Sequence, residues 1–83
     1  MKQFEIFDYQ LKNDLKKFRQ AQGLSQIELA KLVGTTQNTI SAIECGTYKS
    51  TSVKLAIKIA MVLGYRVDDI FYIIPVDNYI GEW

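Results

Sequence analysis

Residues 26–46 read QIELAKLVGTTQNTISAIECG, and the fold turns on the two helices this stretch must make with very little chain between them. Ser25 stands just ahead of it and Glu28 three residues further on. A hydroxyl accepting from the N3 amide and a carboxylate accepting from the N-cap amide open a helix reciprocally. Ile27, Leu29, Ala30, Leu32 and Val33 supply the apolar positions of that helix. Gly34 stops it, because a residue without Cβ adopts the left-handed conformation at little cost. Thr35 and Thr36 then offer an N-cap ahead of Gln37. In the second helix only Ile40 and Ile43 are large and apolar, so it can dock one edge only. Gln37, Asn38, Ser41 and Ala42 are expected to face outward, and Gly46 closes the segment.

Two helices packed at a steep angle need a small residue at the crossing, a tight turn, and apolar side chains reaching back from the second helix. Ala30, Gly34, Ile40 and Ile43 fall where those needs fall. A helix held in this way projects from the body and fits a groove of about 12 Å, the width of the DNA major groove. Its display is amides and hydroxyls. A glutamine or asparagine amide offers one donor and one acceptor, the complement of adenine N7 and N6, which a charged side chain cannot match.

Outward from this core the pattern stays helical. Leu11, Leu15 and Phe18 recur at i, i+4 and i+7 and end at Gly23, with Lys12, Lys16, Lys17 and Arg19 on the other side, which predicts a first helix. Thr47, Tyr48, Lys49, Ser50 and Thr51 read as a loop. Ser52 can cap a further helix carrying Val53, Leu55, Ala56, Ile59, Ala60 and Leu63, which Gly64 ends. Asp68, Asp69, Ile70 and Phe71 predict one more helical turn. The ends differ in kind: Phe4, Glu5, Ile6 and Phe7, and the run Tyr72, Ile73, Ile74, Pro75 and Val76, are aromatic and β-branched and suit short extended segments. Those two segments could pair with each other or across a dimer, with Pro75 confining its strand to an edge. The expectation is an all-α, compact five-helix domain over residues 11–71, with an N-terminal arm at 1–10 and a C-terminal tail at 72–83.

Eighty-three residues support one hydrophobic core. A formal net charge of +1 argues against a polyanionic partner, until its distribution is considered. Residues 11–66 hold nine cations against three carboxylates, and the remaining segments hold Lys2 against six. A basic middle between acidic ends is what a phosphate-binding face would need. Cys45 is the sole cysteine and histidine is absent, so an internal disulfide is excluded and no zinc site is expected. Cys45 is read as an inert filler at a helix end. A reducing, cytoplasmic setting is expected, with no export signal and no apolar run near the roughly 20 residues of a membrane span. No catalytic constellation stands out, and neither an enzyme nor a cofactor is expected.

The segment at 26–46, preceded by LKKFRQAQGLS at 15–25, resembles the helix-turn-helix of the phage repressor and Cro family, also called the XRE family. The resemblance spans roughly residues 11–71 and implies a lambda-repressor-like fold that binds double-stranded DNA as a homodimer. It makes Gln37 the principal base reader, with Asn38, Ser41 and Ala42 beside it. It places Ser25, Gln26, Thr39, Thr47 and Lys49 on phosphates, with Gln26 also bracing Gln37. Tyr48 next to Lys49 either stacks on the backbone or plugs the loop. The resemblance pairs Arg19 with Glu44 in a buried salt bridge that holds the reading helix, with Ala30, Gly34, Ile40 and Ile43 as its frame. Two residues depart from the family pattern. Ala42 replaces a longer polar side chain and so offers an apolar contact, such as a thymine methyl. Cys45 replaces a polar residue. The function implied is a Cro-like transcriptional repressor of phage or prophage. The alternatives are an antitoxin whose C-terminal tail binds a toxin as protein partner, and an interaction module that has lost DNA binding.

Overall fold

The computed structural model describes residues 9–48 and 51–75. In chain order they form β1 (Tyr9–Asn13), α1 (Leu15–Ala21), α2 (Gln26–Val33), α3 (Gln37–Cys45), α4 (Val53–Leu63), α5 (Val67–Ile70) and β2 (Phe71–Pro75). Each long helix starts on a hydroxyl. Ser25 Oγ accepts from the Glu28 amide at 3.0 Å, Thr36 Oγ1 from Thr39 at 3.2 Å, and Ser52 Oγ from Leu55 at 3.1 Å. Glu28 returns the contact by accepting from the Ser25 amide at 2.8 Å. Those bonds from Ser25 hold its carboxyl below the usual carboxylate range.

The turn between α2 and α3 is Gly34, Thr35 and Thr36. Gly34 sits at φ +76°, while a Cβ there would meet nothing closer than Lys58 Nζ at 3.8 Å. Backbone conformation, not space, therefore demands glycine at this position.

All five helices contribute to one core. Leu15 of α1, Leu29, Ala30 and Val33 of α2, Ile40 and Ile43 of α3, Ala56, Ile59, Ala60 and Leu63 of α4, and Ile70 with Phe71 are buried together. Each large aliphatic side chain withdrawn from water in this way contributes about 1.5–3 kcal/mol. Phe18 and Tyr65 pack at a tilt at the rim, with ring centroids 4.4 Å apart and 53° between the planes.

The expectation of an all-α protein is corrected by the sheet. β1 and β2 pair antiparallel, with Leu11 opposite Ile73 and Tyr9 opposite Pro75. Leu11 is thus a strand residue, and α1 begins only at Leu15. A side chain at Leu11 satisfies both periods: it fits the i, i+4 stripe, and it also fits the alternation in which Leu11 and Asn13 turn inward while Gln10 and Lys12 stay exposed. The C-terminal strand falls close to where the β-branched run predicts it, but its partner is Tyr9–Asn13. The expected partner, residues 4–7, lies outside the described residues. Pro75 is accommodated because both strands of a two-stranded sheet are edges. Phe71 leaves the expected last helical turn and starts β2.

Asn13 joins the sheet to the helices. Its Oδ1 accepts from the Leu15 amide at 3.0 Å, opening α1, and its Nδ2 donates to the Ile43 carbonyl at 2.9 Å, near the end of α3. The Asp14 amide donates to the Ile70 carbonyl at 2.9 Å, so the sheet, α1 and α5 meet at one corner.

Two of the five apolar positions read for α2 point the other way, with Ile27 at 49% and Leu32 at 59% exposure. Leu29, Ala30 and Val33 suffice to cover its inner face. No helix among the described residues is long and apolar enough to cross a membrane.

Candidate nucleic-acid interface

α3 has one buried edge and one open face. Ile40 and Ile43 are inaccessible or nearly so and hold the helix against the core. Gln37 and Asn38, in its first turn, are exposed, while Ser41 and Ala42, one turn further along, are half-buried. The four residues expected to touch bases thus lie on α3 with its N-terminal end the more open. Gln26, at the first position of α2, comes beside them: Gln37 Nε2 donates to Gln26 Oε1 at 3.3 Å.

Beneath this pair lies the ion pair of Arg19 and Glu44. Arg19 Nε donates to Glu44 Oε2 at 2.6 Å and Nη2 to Oε1 at 3.0 Å, the two-pronged geometry that a planar guanidinium makes with a carboxylate. The two side chains are 9% and 4% exposed. Arg19 Nη1 donates to the Leu24 carbonyl at 2.7 Å, which also ties the bridge to the turn between α1 and α2. The hydrogen bond to Glu44 raises the Arg19 pKa above its ordinary value. Gln26 Nε2 donates to Glu44 Oε1 at 3.1 Å. That link from the ion pair to the surface amides is not legible in sequence, because each of its residues comes from a different turn of chain.

The residues expected on phosphates divide into two groups. Ser25 and Thr39 lie at the N-terminal ends of α2 and α3. The Thr39 hydroxyl is 3.0 Å from that of Thr36, and Ser25 accepts from the Glu28 amide, so each keeps capacity for one outward bond. Thr47, past the end of α3, donates to the Ala42 carbonyl at 3.2 Å, and its hydroxyl hydrogen has to turn from that carbonyl to meet a phosphate oxygen, which only accepts. The N-terminus of α2, carrying Ser25 and Gln26, adds the partial positive charge of its free amides. Lys49 lies outside the described residues. Tyr48 is exposed beside Tyr9, Leu11 and Gly46 around a shallow hollow of about 360 Å³. Cys45 is exposed and unpaired in a disulfide.

A frame of short helices, a three-residue turn and a polar face left open on the second helix of the pair define a helix-turn-helix domain. The Helix-turn-helix family pattern matches residues 15–70, and the chain belongs to that family, in its XRE branch. An uncharacterised HTH-type transcriptional regulator of Methanocaldococcus jannaschii is 48% identical over 61 residues, 74% of this chain and 91% of that protein. YgzD of Bacillus subtilis, likewise an uncharacterised HTH-type transcriptional regulator, is 38% identical over 63 residues, 76% of this chain and 94% of that one. Among solved structures, the master regulator for biofilm formation SinR in complex with DNA matches with TM-score 0.62 at 30% identity, covering 65% of this chain and 86% of that chain. The transcriptional regulator VanUg matches over 92% of this chain and all of its own, TM-score 0.70, at 17% identity, a likeness of fold.

Proposed function

We propose that this chain is a DNA-binding transcriptional regulator that lays α3 in the major groove and acts as a Cro- or repressor-like protein in the cytoplasm. The observation that carries the reading is the exposure of Gln37 and Asn38 on a helix whose opposite edge is locked by Ile40 and Ile43. Exposed polar amides on a helix anchored along its opposite edge are suited to base edges. The relationship to SinR, seen bound to DNA at 30% identity, supports the same partner.

In this reading Gln37 is the main base contact, Asn38 and Ser41 flank it, and Ala42 offers its methyl group. Ser25, Gln26, Thr39, Thr47 and Lys49 hold phosphates, which fix the register of the helix but carry no sequence information. One helix reads only a few base pairs. Two copies of the chain on half-sites about one helical turn apart bring specificity to a useful level, so the operator is palindromic and the bound form a homodimer.

Gln37→Ala is expected to weaken binding to the operator by about 1–3 kcal/mol and to leave binding to random duplex nearly unchanged. Fluorescence anisotropy with both duplexes at one salt concentration checks this. An equal loss on the two would remove Gln37 from the base-reading set.

A further inference from the structure

We infer that Glu44, acting through Gln26, fixes the orientation of the Gln37 amide and thereby selects adenine over guanine at the base Gln37 reads. The inference rests on the reading of Gln37 as a base reader and adds a positioning role for two residues behind it.

An ionised carboxylate only accepts hydrogen bonds, whereas a carboxamide has an accepting end and a donating end that are almost the same size. Both Glu44 oxygens accept from the Arg19 guanidinium, Oε2 at 2.6 Å and Oε1 at 3.0 Å. Gln26, which reaches Glu44 Oε1 at 3.1 Å, must therefore turn its NH2 inward. Its oxygen is then the atom left facing Gln37, and Gln37 must meet that oxygen with its own NH2, as the 3.3 Å contact has it. One buried charge thus sets the polarity of two amides in sequence. An apolar residue or a hydroxyl at position 44 would leave both free to turn.

The consequence lies at the exposed end. In the proposed relay Gln26 Oε1 takes the Gln37 N–H that points away from its own carbonyl. What remains is the other N–H together with Oε1, lying side by side as one donor and one acceptor. Adenine presents N7 as acceptor and N6–H as donor in the major groove and is matched by that pair. Guanine presents two acceptors, N7 and O6, and a bidentate contact would need both N–H groups. The relay withholds one of them.

Two variants separate this role from a structural one. Gln26→Leu removes both amide contacts and leaves the Arg19–Glu44 pair in place, while Glu44→Gln keeps the shape and replaces an obligate acceptor with an amide that can present either end. The base read by Gln37 is first located as the operator position whose preference Gln37→Ala abolishes. Affinities are then measured for duplexes carrying adenine or guanine there. We expect the adenine-to-guanine ratio to fall about tenfold in either variant, from a starting discrimination of the size one bidentate contact supplies. Loss of the phosphate contact of Gln26, or slight unfolding of the Glu44 variant, lowers both affinities together and leaves the ratio alone. A wild-type ratio in Gln26→Leu overturns the relay while leaving Gln37 as a reader. If Gln37→Ala changes no position, the base-reading role fails and the relay with it.

Discussion

Glu44→Ala should cost the folded domain about 3–5 kcal/mol, the range found when one partner of a buried ion pair is removed. Arg19 has no other anion: among the described residues its remaining hydrogen bond is to the Leu24 carbonyl, and its side chain is 9% exposed. Truncating Glu44 leaves a guanidinium charge in a poorly solvated site. At about 4–8 °C per kcal/mol for a domain of this size, the melting temperature falls by at least roughly 12 °C. Thermal denaturation followed by circular dichroism measures it. Replacing both partners with apolar residues, Arg19→Met with Glu44→Leu, strands no charge and should recover most of the loss. A Glu44→Ala cost below about 1 kcal/mol, the worth of a solvent-screened surface pair, would mean that water reaches Arg19.

The second large effect is expected at Ile40. Its side chain is fully buried and it is one of two that fasten α3 to the core. Ile40→Ala removes three carbons from a packed site and should cost about 2–5 kcal/mol, the spread depending on how far the surrounding core relaxes into the space. Urea denaturation reads it directly. Val53→Ala, on the outer side of α4 with Val53 at 74% exposure, should stay within about 0.5 kcal/mol. Similar losses at the two positions would contradict the burial that separates them. Ile40→Ala should also weaken DNA binding in molecules that are still folded, because α3 then has a single anchor.

The helical frame was legible where its signals are local. A serine with a glutamate three residues on, a glycine after an apolar stripe, and a threonine before a polar helix each act within one turn of chain, and α2, α3 and α4 begin and end where those residues stand. The sheet was not legible in the same way. Leu11 fits the helical stripe of Leu15 and Phe18, and only pairing with Ile73, far along the chain, decides for a strand. Asn13 is legible only in part: its side chain opens α1 locally, a role its place two residues before Leu15 suggests, but its bond to the Ile43 carbonyl depends on the assembled fold. Ile27 and Leu32 are exposed although apolar, and composition does not say which apolar residues a narrow helix face leaves over.

For the candidate site, the sequence pointed to Gln37 and its neighbours through the narrowness of the Ile40 and Ile43 stripe. The Arg19–Glu44 pairing came by resemblance, since no periodicity joins residues on different helices. The bond from Gln26 to Glu44 was reachable by neither route. It exists because the N-terminus of α2 and the last turn of α3 meet over Arg19.

The central claim is that the open face of α3 reads base sequence, and selection of bound duplexes from a random pool at low ionic strength tests it most directly. The wild-type protein should enrich a short consensus that recurs as two inverted half-sites, and Gln37→Ala should lose preference at one position of each half. Recovery of unrelated sequences by the wild type, or the same consensus from both proteins, would contradict it.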